Sequence, residues 1–110
     1  MSRRPWIGVD LDGTLAHYEG WNDGKIGKPV PLMMDRVRKW LGEGKQVKIF
    51  TARVSEPDPV LRKKIITDIE HWCMIHLGQT LPVTCCKDFS MTDLWDDRCH
   101  RVKPNTGEEL

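Results

Sequence analysis

A chain of 110 residues suits one compact domain and leaves too little for two. Its 17 Lys and Arg against 16 Asp and Glu give a net charge of +1, which argues against holding nucleic acid or an anionic membrane mainly by bulk charge. Charged residues at 30% and hydrophobic ones at 39% are globular values, and no apolar run approaches the roughly 20 residues of a membrane span.

The start, from Met1 to Trp6, lacks the apolar stretch and cleavage site of a secretory signal, so a soluble cytoplasmic domain is expected. Residues 1–103 read as one unit with a short polar tail. Trp6-Ile7-Gly8-Val9-Asp10 is a short apolar strand that stops at the turn Asp-Leu-Asp-Gly. Residues 16–30, with several glycines and little periodicity, read as a loop or small flap. From Pro31 to Leu41, Met33, Met34, Val37, Trp40 and Leu41 recur at helical spacing before Gly42 and Gly44. Val47-Lys48-Ile49-Phe50 is a second strand running into Thr51-Ala52-Arg53. Asp58-Pro59 opens a second helix, with Asp as cap and Pro in the first turn. Its predicted inner stripe is Leu61, Ile65, Ile69, Trp72, Cys73 and His76, up to Gly78. Leu81 to Cys86 is predicted as a third strand and Thr92 to Trp95 as a short fourth. This order predicts an α/β domain with a mainly parallel sheet of about four strands.

Side chains with chemistry follow strand after strand: Asp10 and Asp12, then Thr51, then Lys87, then Asp96 and Asp97. In open parallel sheets the carboxyl ends of the strands line one edge, where ligands bind. Four carboxylates gathered there require a compensating cation, and an all-oxygen donor set favours Mg2+. An Asp carboxylate can attack a phosphoryl group and form an aspartyl-phosphate. A second carboxyl beside it is suited to protonating the leaving oxygen. The Thr51 hydroxyl, neighbouring backbone N–H groups such as that of Ala52, and Lys87 are suited to the remaining phosphoryl oxygens. The cysteines, Cys73, Cys85, Cys86 and Cys99, are expected to be reduced and mostly buried. A zinc site drawing on them with His76 or His100 is the weaker reading, because no paired C-x2-C spacing is present.

Asp10-Leu11-Asp12-Gly13-Thr14-Leu15 resembles the D-x-D-G-T-L signature of the haloacid dehalogenase-like phosphatases. Val47 to Thr51 is similar to that family's second motif, Lys87 to its lysine, and Leu94-Trp95-Asp96-Asp97 to its acidic metal motif. The resemblance covers about residues 5–103. It implies a single Rossmann-like domain with strand order 4-1-2-3. By the same resemblance, Asp10 is nucleophile and Mg2+ ligand, and Asp12 is acid/base and ligand through its backbone carbonyl. Thr51, Ala52 and Lys87 bind phosphate, and Asp97 is a direct metal ligand. Asp96 stands behind the metal, holding Lys87. Too few residues separate Leu15 from Thr51 for a cap domain, so an open site is expected. It would take a phosphorylated substrate, either a small metabolite, enclosed if need be by a second subunit of a homo-oligomer, or a nucleic-acid end. Trp21 in the 16–28 loop is the aromatic expected to touch substrate, and Trp6, Trp40, Trp72 and Trp95 are expected in the core. Arg53 suits phosphate and the surface equally. The alternative from another class is a non-catalytic metal- or phosphate-binding module on the same fold.

Overall fold

The computed structural model describes residues 4–110. Residues 1–3, part of the start read above as non-secretory, lie outside the described residues. Strand β1 (Trp6–Val9) is buried on both faces, as a central parallel strand must be. It pairs with β2 (Gln46–Phe50) on one side and β4 (Met91–Trp95) on the other, and β3 (Val83–Thr84) adds to the outside of β2. All three pairings are parallel. The order β3-β2-β1-β4 contains the same neighbours as the expected 4-1-2-3, read from the other edge.

Helix α1 (Pro31–Gly42) joins β1 to β2, and α2 (Pro59–Leu77) joins β2 to β3. Asp58 caps α2 as predicted, its carboxylate accepting the Val60 N–H at 3.0 Å. Strand residues alternate between sheet faces, so Ile7 and Val9 share a side with Val47 and Ile49. They form one cluster with Met33, Met34 and Val37 of α1 and Ile69, Trp72 and Cys73 of α2, which places both helices on the same face. The opposite face is covered differently. The connection from β3 to β4 runs past Trp6, whose indole N–H donates to Asp88 at 2.9 Å while Lys48 lies over its ring. Among the described residues, no helix is long and apolar enough to cross a membrane.

Several expectations are corrected. The third strand keeps only Val83 and Thr84 of the predicted Leu81–Cys86, because it is an edge strand with one partner. Thr84 then turns the chain by accepting the Cys86 N–H on its hydroxyl. Only Cys73 is buried; Cys85, Cys86 and Cys99 are exposed. Trp95 is also half outside, packed against Trp40 and under Arg36 rather than in the core. On α2, Ile69, Trp72 and Cys73 face inward, but Leu61 is exposed because the first turns overhang a cleft.

Candidate active site

Leu11 and Leu15 are both fully buried and anchor the loop that follows β1. Around these anchors the Leu11 carbonyl accepts N–H groups from Leu15 at 3.0 Å and Ala16 at 2.9 Å, so the loop curls tightly. The β1–β4 pairing continues one step past the strand, with the Asp10 N–H donating to the Trp95 carbonyl at 2.9 Å. That register is why Asp10 and the Asp96-Asp97 pair, far apart in sequence, stand side by side. One carboxylate oxygen from each of Asp10, Asp96 and Asp97 lies within 4.8 Å of the others.

Gly13 allows this approach. Its φ is +88°, and a Cβ there would lie 2.6 Å from an Asp97 carboxylate oxygen. Beside it, the Thr14 hydroxyl sits 3.3 Å from Asp10 and 3.2 Å from Asp97, and accepts the Asp97 N–H at 3.1 Å. One hydroxyl proton cannot serve two carboxylates, so the cluster is short of positive charge. The consequence falls on Asp10. Burial, the hydrogen bond to Asp97 and the charges of Asp96 and Asp97 push its pKa up to about 7. Burial also works against the charge on Asp97. There the Asp10 and Thr14 hydrogen bonds, its own backbone N–H and nearby Arg98 outweigh it and hold the carboxyl below its ordinary value.

The donor set fits a hard divalent cation. Octahedral Mg2+ ligands at about 2.0–2.1 Å stand about 2.9 Å apart when adjacent and about 4.1 Å when opposite, so the three oxygens would close in on an ion between them. Asp96 belongs to this cluster as directly as Asp97 and also lines the cleft. Among the described residues, Asp96 forms no ion pair with Lys87; its carboxylate instead accepts the Arg98 N–H at 2.9 Å. The expected hold of Asp96 on Lys87 is therefore not formed. No cysteine or histidine joins a metal-sized cluster among the described residues.

Asp12 faces a different neighbour. Arg53 grips both its oxygens, Nε at 2.6 Å and a terminal nitrogen at 2.8 Å, and the Arg53 side chain is only 7% exposed. The same guanidinium donates to the Gly24 carbonyl at 2.7 Å and stacks 5.1 Å from the Trp21 ring centroid. Arg53 thus ties the Asp12 loop to the 16–30 segment, which is a pinned flap. Ala16 pairs with Pro29, and the Trp72 indole donates to the Gly27 carbonyl at 3.0 Å. At the flap tip Asn22 and Asp23 adopt positive φ of 30° and 52°, a conformation their side chains tolerate better than most.

Thr51 is buried at the end of β2, its oxygen accepting the Arg53 N–H at 3.2 Å, which leaves its own proton free to be donated. Thr51 and the exposed Ala52 line a cleft of about 940 Å³ with Asp10, Asp12 and Asp96. Lys87 is exposed and outside that lining, because the link from β3 to β4 leads away toward Trp6. Thr14 and Arg53 carry more of the geometry than their sequence reading assigned. Thr14 lies within the D-x-D-G-T-L run, and Arg53 two residues after Thr51, so both positions carried a local signal.

No family profile matches the chain, and no curated protein matches it. A solved structure, the conserved protein coded by a locus from Bacteroides thetaiotaomicron, is similar over 87% of this chain and 78% of its own, at 19% identity and a TM-score of 0.57. At that identity the likeness establishes the α/β fold.

Proposed function

We propose that the chain is a Mg2+-dependent phosphohydrolase that cleaves a phosphomonoester through an aspartyl-phosphate on Asp10. The observation that carries this reading is the meeting of Asp10, Asp96 and Asp97 at the ends of two adjacent parallel strands, in a cleft that also holds Thr51. Asp10, Asp96 and Asp97, with the backbone carbonyl of Asp12, would hold the ion. Its chemistry is to neutralise a phosphoryl oxygen and keep Asp10 ionised. In the first step an Asp10 oxygen attacks phosphorus, the bond to the leaving oxygen breaks, and that oxygen takes a proton from Asp12. In the second, water gives its proton to Asp12, attacks phosphorus and displaces Asp10. Asp12 must first take up a proton from solvent on one oxygen, giving up one of its two Arg53 hydrogen bonds while the other keeps the pair together. The Thr51 hydroxyl and the Ala52 N–H hold the non-reacting oxygens. Exposed free thiols at Cys85, Cys86 and Cys99 suit a reducing compartment, and the proposal sets the reaction in the cytoplasm.

Asp10→Asn should abolish hydrolysis of an aryl phosphate while circular dichroism shows an intact fold; retained turnover overturns the mechanism. The saturated Asp12–Arg53 pair, and Lys87 lying outside the cleft lining, favour, as second reading, a metal- or phosphate-binding module without catalysis. Mg2+ binding by calorimetry with no hydrolysis across a phosphomonoester panel would select it.

A further inference from the structure

The lining of the cleft extends well beyond the carboxylates. Trp21 and Tyr18 come from the flap, and Phe50, Pro57, Leu61 and Ile65 from the end of β2 and the start of α2. Trp21 is 59% exposed, yet its ring lies against the Arg53 guanidinium, 5.1 Å from the centroid, and has an edge beside Gly24. A fixed, exposed aromatic in a cleft of this size is a platform for a flat organic group. The charges along the same lining are Asp23, Glu56 and Asp68 against Lys64, and Lys64 is already paired with Asp68 at 3.0 Å. Arg53 is committed to Asp12. Arg98, which pairs with no carboxylate among the described residues, stands beside Asp96 in that lining. Among the basic lining residues Arg98 alone has no carboxylate partner, and a second phosphate elsewhere in the cleft would meet Asp23 and Glu56.

We infer that the substrate is a small phosphomonoester with a single phosphoryl group and a flat, uncharged body seated on Trp21, and not the end of a nucleic-acid strand. This rests on the phosphohydrolase reading above. Leaving-group oxygen and phosphorus are placed by the carboxylate end, and the body by Trp21. The strand end is disfavoured because its phosphodiesters would follow the terminal phosphate into a cleft lined by Asp23 and Glu56.

The test uses 1-naphthyl phosphate, glycerol 2-phosphate and a 3′-phosphorylated trinucleotide with Mg2+. Wild-type kcat/KM should favour the naphthyl ester over each of the others by about tenfold or more. Trp21→Ala should narrow the naphthyl-to-glycerol ratio roughly fivefold to tenfold, with Trp21→Phe in between. Asp23→Asn with Glu56→Gln, both conservative where they stand, should raise relative use of the trinucleotide several-fold. A wild-type preference for the trinucleotide, or ratios unmoved by both sets of substitutions, overturns the inference while leaving hydrolysis established. Calorimetry on Asp10→Asn separates the two claims. Trp21-dependent binding of the naphthyl ester by Asp10→Asn, together with a wild type that hydrolyses none of the three esters, keeps the substrate class and sinks the hydrolytic reading; no binding by Asp10→Asn and no hydrolysis by the wild type sinks both.

Discussion

Two corners of one cleft hold carboxylates in opposite circumstances. At the β1–β4 corner, Asp10, Asp96 and Asp97 crowd together with one hydroxyl, Thr14, between two of them, and Asp10 responds by holding its proton up to about pH 7. At the flap corner, Asp12 has both oxygens filled by a nearly buried guanidinium. Among the described residues no basic side chain is ion-paired with a carboxylate of the first corner, whereas the second has Arg53. Carboxylates are thus in excess at the first corner, while a few residues away Asp12 and Arg53 satisfy each other.

The sharpest way to break this contrast is to remove charge from each corner in turn. Arg53→Met strands Asp12 in a half-buried setting and releases the flap, and should lower stability by about 2–4 kcal/mol in denaturant titration. Asp97→Asn relieves crowding at the other corner, and should leave metal-free stability within about 0.5 kcal/mol or raise it. Similar losses from both substitutions would mean that the corners are not different in kind. Gly13→Ala comes next. It forces a side chain into a left-handed backbone and against Asp97, and should cost about 1–3 kcal/mol while weakening Mg2+ binding. Wild-type Mg2+ affinity in that variant would show that the close approach at Gly13 is unnecessary.

The pH dependence of the unbalanced corner can be stated with its sign. Asp10 titrates near 3.8 when unfolded and near 7 when folded, so between those values the folded chain holds the extra proton. Stability of the metal-free protein should therefore fall as pH rises from 3.8 to about 7 and level off above it, as far as this group contributes. Bound Mg2+ must displace that proton, so its apparent affinity should weaken by about tenfold per pH unit below the Asp10 pKa. Melting temperatures with and without Mg2+ at about pH 6 and about pH 8 check both trends; a cation-induced rise that is as large at the lower pH refutes them.

What the sequence disclosed follows the range of the interactions. The β1 and β2 runs, the Asp58-Pro59 helix start and the strand-end carboxylates are local features, and the parallel register converts Asp10, Asp96 and Asp97 into neighbours without further information. Contacts that depend on how loops lie are different. The Asp12–Arg53 clamp joins residues 41 apart, and nothing in either segment alone distinguishes it from a surface arginine. Lys87 shows the reverse case. Its position along the chain suited phosphate, but β3 ends at Thr84 and the following link is drawn across the sheet to Trp6.

The smallest expected effect tests how firmly the flap belongs to the completed corner. Trp72 lies on α2, away from every carboxylate in the cluster, yet its indole N–H holds the Gly27 carbonyl, and a Cβ on Gly27 would meet the His17 carbonyl at 2.1 Å. The flap is thus fastened at its base by α2 and at its tip by Arg53. Trp72→Phe keeps most of the buried ring and deletes the donor, so it should cost about 1 kcal/mol in stability. Because the tip fastening is untouched, the same variant should bind Mg2+ as wild type does. A large loss of Mg2+ affinity would show instead that the flap base and the carboxylate corner form one cooperative unit, and the division between the two corners would have to be redrawn.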